Sequence, residues 1–322
     1  MGMDLTRVVV LDDYQDVAGD HADWASLPGC VVEHVHEPLT PGPAVVARLA
    51  DADIVVVMRE RTAFPREVLE RLPRLRLLVT TGAKNAAIDL AAATELGITV
   101  SGTESLPHPP AELTLALVLA LARGVVTEDR ALRAGRWQTT LGLALAGERL
   151  GVVGLGRIGG RVAELGRAFG MEVVAWSPNL TPGRAAESGV TALPKEELLR
   201  TSRFVTLHLK LGERSRGVVG AAELALMRPD AYLVNTARAG LVDTDALVGA
   251  LRSAQIAGAG LDVFDDEPLP PEHPLLSAPN TVLLPHLGYV VEQGYDVYYR
   301  QAVEDIAAFL AGAPVRLLTP PG

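Results

Sequence analysis

"RLGVVGLGRIGGRVAELGRAFGMEVVAWSP", residues 149–178, decides how this chain folds. An apolar run ends in Gly154, Gly156 and Gly159, a helical stretch follows, and a second apolar run closes near residue 177. A bare G-x-G-x-x-G is weak, but set between a strand and a helix it is the turn that receives a dinucleotide. Gly154 permits the tight turn, Gly156 lets the backbone approach a pyrophosphate, and Gly159 lets the helix pack closely on its strand. The phosphate charge would meet the N–H groups at the helix start. Where such sites carry an Asp or Glu for the adenosine ribose, this chain carries Ser177.

The same alternation runs outward in both directions. RVVVLDD, DIVVVM and LRLLVTTG are continuous apolar runs of the kind that parallel strands buried on both faces require. Helical segments such as PREVLERL and AIDLAAATELG lie between them, so residues 1 to about 102 read as one α/β unit. A second follows, with strands RLGVVGLG, MEVVAWS, FVTLHLK, AYLVNTA, AGAGLDV and TVLLPHLG, and a closing helix from about Tyr295. The prolines of SLPHPPAELTLALVLALARG punctuate the join. The helix after them, about Ala111 to Ala122, is apolar nearly all round. Such a helix must be covered on every side, either within one chain or partly by a second subunit.

Length and charge narrow the function. At 322 residues there is room for two cored domains. A net charge of -10 argues against nucleic acid and against adsorption to acidic membranes as partners. Cys30 is the only cysteine, which rules out an internal disulfide and fits a reducing cytoplasm. The start, MGMDLTRVVVLDDY, is acidic where a signal peptide needs basic residues, and Leu115 to Ala122 is too short to span a bilayer. The expectation is a soluble cytoplasmic protein. His34 and His36 alternate on VVEHVHE and read as a solvated strand face, so no metal is expected.

Ionisable groups gather in three later stretches: Arg238 in VNTARAGLVD, Asp262 and Glu267 in GLDVFDDEP, and His286 in LLPHLG. Each follows a predicted parallel strand, and that edge of an open α/β sheet is where ligands bind. Together they offer an anion clamp, a carboxylate and a proton-transfer group. His208, at the end of another strand in LHLK, is expected to line a cofactor cleft, and Arg59 follows the strand DIVVVM.

GLGRIG, VNTARAG, LDVFDDEP and PHLGY, in this order and spacing, resemble the D-isomer-specific 2-hydroxyacid dehydrogenase family, as do TGAKNAAIDLAAA and the closing helix. The resemblance covers nearly the whole chain. It implies an α/β protein of two doubly wound parallel-sheet domains, with a Rossmann-like nucleotide domain (residues 103–291) inserted into a flavodoxin-like substrate domain (residues 1–102 and 292–322). It implies a homodimer held through the nucleotide domains. It also implies that Arg238 binds the substrate carboxylate and carbonyl, that His286 is the acid–base, and that Glu267 pairs with it. Asp262 is similar to a family position near the nicotinamide that influences the pH behaviour of the site. Gly82, Ala83 and Lys84 look like a substrate loop, and Arg59 resembles a position close to the substrate.

The implied substrate is a small 2-oxo or 2-hydroxy acid, and the implied cofactor is NAD(P)H. Gly154, Gly156, Arg157, Ile158 and Gly159 of the turn, with Ser177, Asn179, His208, Thr236, Ala237, Asp262 and Gly288, are the expected cofactor contacts. Ser177 removes the repulsion that an Asp would offer a 2′-phosphate, while Pro178 stands where many phosphate-selective sites place an Arg. Arg157 and Arg184 are possible sources of positive charge. Both cofactors are therefore expected to be accepted, with NADP modestly favoured. Two alternatives remain: a D-3-phosphoglycerate dehydrogenase, and a nucleotide-sensing binding protein like the corepressors that share this fold.

Overall fold

The apolar runs form twelve strands in the computed structural model, which describes residues 5–320. All of them pair in parallel within two sheets. The chain divides into two compact units, Met1–Leu106 with Val291–Gly322, and Pro107–Val290.

The first unit holds β1 (Thr6–Val10), β2 (Cys30–His34), β3 (Ile54–Val57), β4 (Leu77–Thr80) and β5 (Thr99–Gly102), in the order β2-β1-β3-β4-β5. Every residue of β3 and β4 is buried, as an unbroken Ile, Leu and Val run demands of a strand covered on both faces. Val55, Val57, Leu78, Phe64 and Ile88 share one core. The helix Glu292–Leu310 packs on this sheet with Tyr295, Tyr298 and Tyr299 buried. The unit extends to Leu106, four residues beyond the expected end at 102, because the chain stays tied to it after β5. Thr103 N–H donates to Thr80 O, and Glu104 N–H to Gln301 Oε1.

The second unit holds β6 (Arg149–Val153), β7 (Glu172–Trp176), β8 (Thr191–Ala192), β9 (Phe204–Leu207), β10 (Tyr232–Asn235), β11 (Gly258–Leu261) and β12 (Thr281–Leu283). Their order is β12-β11-β10-β9-β6-β7-β8. The strand order reverses at β6 and β9, which makes the crevice at their carboxyl ends the expected ligand site of such a sheet. The edge strand β8 has only two residues and no apolar run to announce it.

The apolar helix spans His108–Arg123 and ends at Gly124 in the left-handed conformation. It begins earlier than its prolines suggest: Pro109 and Pro110 lie within its first turn, where a missing N–H leaves no bond unmade. It packs on β10, β11, β12 and the helix Arg157–Ala168, while Ala116 stays exposed and Leu113 and Leu119 are half-buried. Among the described residues no single helix is long and apolar enough to cross a membrane.

Candidate active site

The glycine turn leaves β6 with Gly154 at φ 107. A side chain there would be strained by that backbone and would stand 2.7 Å from the main chain of His208 and Leu209. At Gly159 an added Cβ would lie 2.0 Å from Gly154 O, so helix and turn meet only through glycine. Gly156 differs, because an added Cβ there would touch nothing within 4 Å. No neighbour among the described residues demands glycine at that position, and the open space over its backbone leaves room for a ligand. The helix Arg157–Ala168 starts there without a side-chain cap, so its first N–H groups and its dipole face the same space. These features fit the pyrophosphate of a dinucleotide.

Around the turn, Ser177 Oγ accepts the N–H of Leu155 at 2.8 Å, a role that its position in the sequence did not reveal. Arg157 and Asn179 are exposed, Ile158 is half-buried, and Arg184 is exposed in the helix Pro182–Glu187 capped by Thr181. The ring nitrogens of His208 are buried, and burial pushes the imidazole down to about 3, so it is neutral. Thr236 Oγ1 lies 2.7 Å from Thr114 Oγ1, which fixes the exit of β10 against the apolar helix.

The ionisable residues stand on the loops after β10, β11 and β12. Arg238 follows β10 with Nη1 donating to Ala237 O at 2.6 Å. Glu267 follows β11: Oε1 accepts the N–H of Phe264 at 3.0 Å, and Oε2 lies 2.6 Å from His286 Nδ1. His286 sits at φ 55, an uncommon conformation for a side-chain-bearing residue that persists only where neighbours impose it. Asp262 is such a neighbour. It is fully buried, and its two oxygens accept the N–H groups of Leu287 and Gly288 at 2.7 and 2.8 Å. Burial lifts its carboxyl to about 6 despite those bonds and the charge of His286. Burial also acts to raise Glu267, but the bond to His286, its charge, the Phe264 N–H and the charge of Arg238 outweigh it. Glu267 therefore lies below the usual carboxylate range. The structure thus brings Arg238, Asp262, Glu267, His286 and Gly288 together in the second unit.

In the first unit, Arg59 follows β3 at φ 56 with its N–H on Thr81 Oγ1 at 2.9 Å. Gly82, at φ 97, lies against it: a Cβ there would stand 1.9 Å from Arg59 Nη1. The N–H of Gly82 donates to Thr103 Oγ1 at 2.7 Å, and Ala83 and Lys84 beside it are exposed. Two buried asparagines that the sequence did not single out, Asn85 and Asn235, brace the two arginine loops. Their only sign in the sequence is an Asn two residues before a turn residue whose N–H it can cap. His34 packs edge-on against Trp24, while His36 lies 3.6 Å from both Asp13 and Asp16. The Asp13 carboxylate also accepts the N–H groups of Val17 and Ala18.

A family model described as D-isomer specific 2-hydroxyacid dehydrogenase, NAD binding domain, matches residues 115–288. The chain is 41% identical to a glyoxylate reductase of Aeropyrum pernix over 276 residues, 83% of this chain and 82% of that one. It is 36% identical to a D-3-phosphoglycerate dehydrogenase of Methanocaldococcus jannaschii over 83% of its own length but only 52% of the other's. Its fold is similar to the crystal structure of a phosphoglycerate oxidoreductase from Vibrio cholerae o395, with a TM-score of 0.91, 35% identity, and coverage of 96% of this chain and 100% of that one.

Proposed function

The chain belongs to the D-isomer-specific 2-hydroxyacid dehydrogenase family, and from that premise we propose the site and substrate of its reaction. It is an NAD-dependent 2-hydroxyacid oxidoreductase by kinship. In our reading His286 is the acid–base, Glu267 its partner, and Arg238 the clamp on the carboxylate and carbonyl of a small 2-oxo acid. The 2.6 Å contact between His286 Nδ1 and Glu267 Oε2 carries this reading.

When bound, the nicotinamide supplies the hydride for reduction or accepts it in oxidation. The turn Gly154–Gly159 and the helix that it opens would hold the pyrophosphate. Arg238 neutralises the substrate carboxylate and stabilises negative charge as it develops on the C2 oxygen. With Nδ1 turned to Glu267, His286 uses Nε2 to donate a proton to that oxygen in reduction and to remove it in oxidation. Glu267, held ionised, stabilises the imidazolium and keeps the ring in one orientation. Asp262 holds the backbone that follows His286. Arg59 and the turn Gly82-Ala83-Lys84 are assigned to substrate binding.

Glyoxylate is our first substrate, because the relative of that name matches over most of both chains while the chain spans about half of the phosphoglycerate dehydrogenase. Ser177 favours acceptance of both NADH and NADPH with a modest lean to NADPH. The partly uncovered apolar helix favours a homodimer, and the single cysteine a cytoplasmic setting. The test is cofactor oxidation with glyoxylate, pyruvate, hydroxypyruvate and 3-phosphohydroxypyruvate. Glyoxylate should rank among the best substrates. Turnover of the phosphorylated acid alone would overturn that choice.

A further inference from the structure

Two buried asparagines, one in each unit, make the same bonds around an arginine. Asn235, at the end of β10, is 1% exposed. Its Oδ1 accepts the N–H of Ala237 at 3.0 Å, and its Nδ2 donates to the carbonyl of Arg238 at 2.9 Å. Asn85, beyond β4, is 6% exposed. Its Oδ1 accepts the N–H of Ala87 at 2.8 Å, and its Nδ2 donates to the carbonyl of Arg59 at 2.5 Å and to Thr80 Oγ1 at 2.8 Å. An N–H on one side and a carbonyl on the other leave each amide a single orientation.

The bonds fall on the arginine carbonyl, and that location matters. Holding a residue's carbonyl fixes its peptide plane, and with it the direction in which its side chain departs. Arg59 needs such a restraint because it sits at φ 56. Arg238 lies on a short loop, where the N–H of Leu241 reaches the same oxygen at 3.2 Å. The Arg238 guanidinium then returns to the carbonyl of Ala237 on its own loop, whereas that of Arg59 reaches Thr81 O on the loop after β4, at 3.5 Å. Aspartate is isosteric with asparagine and can accept the N–H, but it has no donor for the carbonyl.

We propose that Asn235 is a positioning residue that aims Arg238 at the 2-oxo acid by holding that arginine's carbonyl; the bonds of Asn85 around Arg59 are the same device within the first unit. The proposal rests on the assignment of Arg238 to the substrate.

The test uses Asn235→Asp in the full-length protein, with kcat and KM measured for glyoxylate and KM measured separately for NADPH. A misaimed group costs up to about a hundredfold. Asn235→Asp should lower kcat/KM for glyoxylate about ten- to a hundredfold, with KM for NADPH held within about twofold. A merely structural role would also persist without the arginine, so Asn235→Asp is repeated in Arg238→Ala, with guanidinium chloride added to restore activity. There it should change the rescued rate by less than about twofold, as a residue acting wholly through its partner does. An undiminished effect in that background would overturn the proposal, as would wild-type kinetics in Asn235→Asp while Arg238→Ala is inactive. Wild-type activity in Arg238→Ala would instead overturn the site assignment itself, and the proposal with it. Asn235→Ser, whose shorter hydroxyl reaches only one of the two partners, serves if the aspartate variant fails to fold, with the same split expected.

Discussion

His286 Nδ1 and Glu267 Oε2 lie 2.6 Å apart on loops that leave the neighbouring strands β12 and β11. Both carboxylate oxygens are engaged, since Oε1 holds the Phe264 N–H. Glu267→Gln keeps the shape and removes the charge. It should lower kcat at least tenfold, by analogy with the loss of an oriented acid–base pair, and leave NADPH affinity unchanged. His286→Ala should cost about 10²–10⁴ in kcat. Because Glu267 is held below its usual range, its stabilising effect is present above the unfolded value and is lost as pH falls through the folded one. The stability gap between wild type and Glu267→Gln should therefore close in acid, measured by urea denaturation across pH 3 to 7 (~4 pH steps).

Asp262 has the opposite sign. Burial lifts its carboxyl to about 6, well above an unfolded aspartate, so the folded state takes up a proton that the unfolded state does not. That contribution is complete below the unfolded value and is lost as pH rises toward and through about 6. Asp262→Asn removes it while keeping one acceptor for the Leu287 and Gly288 N–H groups. Relative to wild type, the variant should gain up to roughly 2–3 kcal/mol between about pH 4 and pH 6.5. A pH-independent difference would mean that Asp262 titrates like an ordinary surface acid. Its activity should fall as well, because the backbone at φ 55 under His286 loses one restraint.

The surface after the apolar helix is unusually apolar. Val125, Leu132, Trp137 and Leu141 are 52%, 57%, 76% and 102% exposed within one short stretch. Exposed apolar side chains suit the partner surface that the proposed homodimer needs, and a stable dimer buries about 2,000 Å² or more. On the proposed homodimer, Trp137→Ser with Leu141→Ser should shift the protein to a monomer at micromolar concentration in light scattering. An unchanged mass would remove these residues from the interface. A wild-type monomer would remove the dimer altogether.

What the sequence disclosed and what it hid follow from where each constraint acts. Gly154 and Gly159 were legible because backbone geometry and close approach admit no other residue. Arg238, Glu267 and His286 were legible as ionisable groups at strand ends, a place that the topology singles out. The 2.6 Å meeting of Glu267 and His286 was not legible from residues alone and was expected only through resemblance. Asn85 and Asn235 were missed because they act on the main chain, through bonds that depend on turn conformation. The two-residue β8 was missed because it has no hydrophobic period.

Ser177 stands at the position expected to contact the cofactor, and its Oγ accepts the N–H of Leu155 at 2.8 Å. The Oγ lone pair that faces the glycine turn is occupied, and the hydroxyl proton is what Ser177 has to donate. A donor suits a phosphate oxygen and is tolerated by a ribose hydroxyl. No carboxylate stands at this position to oppose a 2′-phosphate, while the exposed Arg157 and Arg184 lie in the flanking helices. Removing a repulsion broadens specificity without reversing it. Wild type should use both cofactors, with kcat/KM for NADPH modestly ahead. Ser177→Asp restores the repulsion, and one of its oxygens can still accept the Leu155 N–H. It should lower kcat/KM for NADPH at least about tenfold, some 1.4 kcal/mol of transition-state stabilisation, and leave NADH level or improved. The measurement is the ratio of the two kcat/KM values with one 2-oxo acid, in both proteins. A wild-type preference for NADH beyond about a hundredfold, near 2.7 kcal/mol, would mean that another acid grips the ribose and that position 177 does not govern the choice.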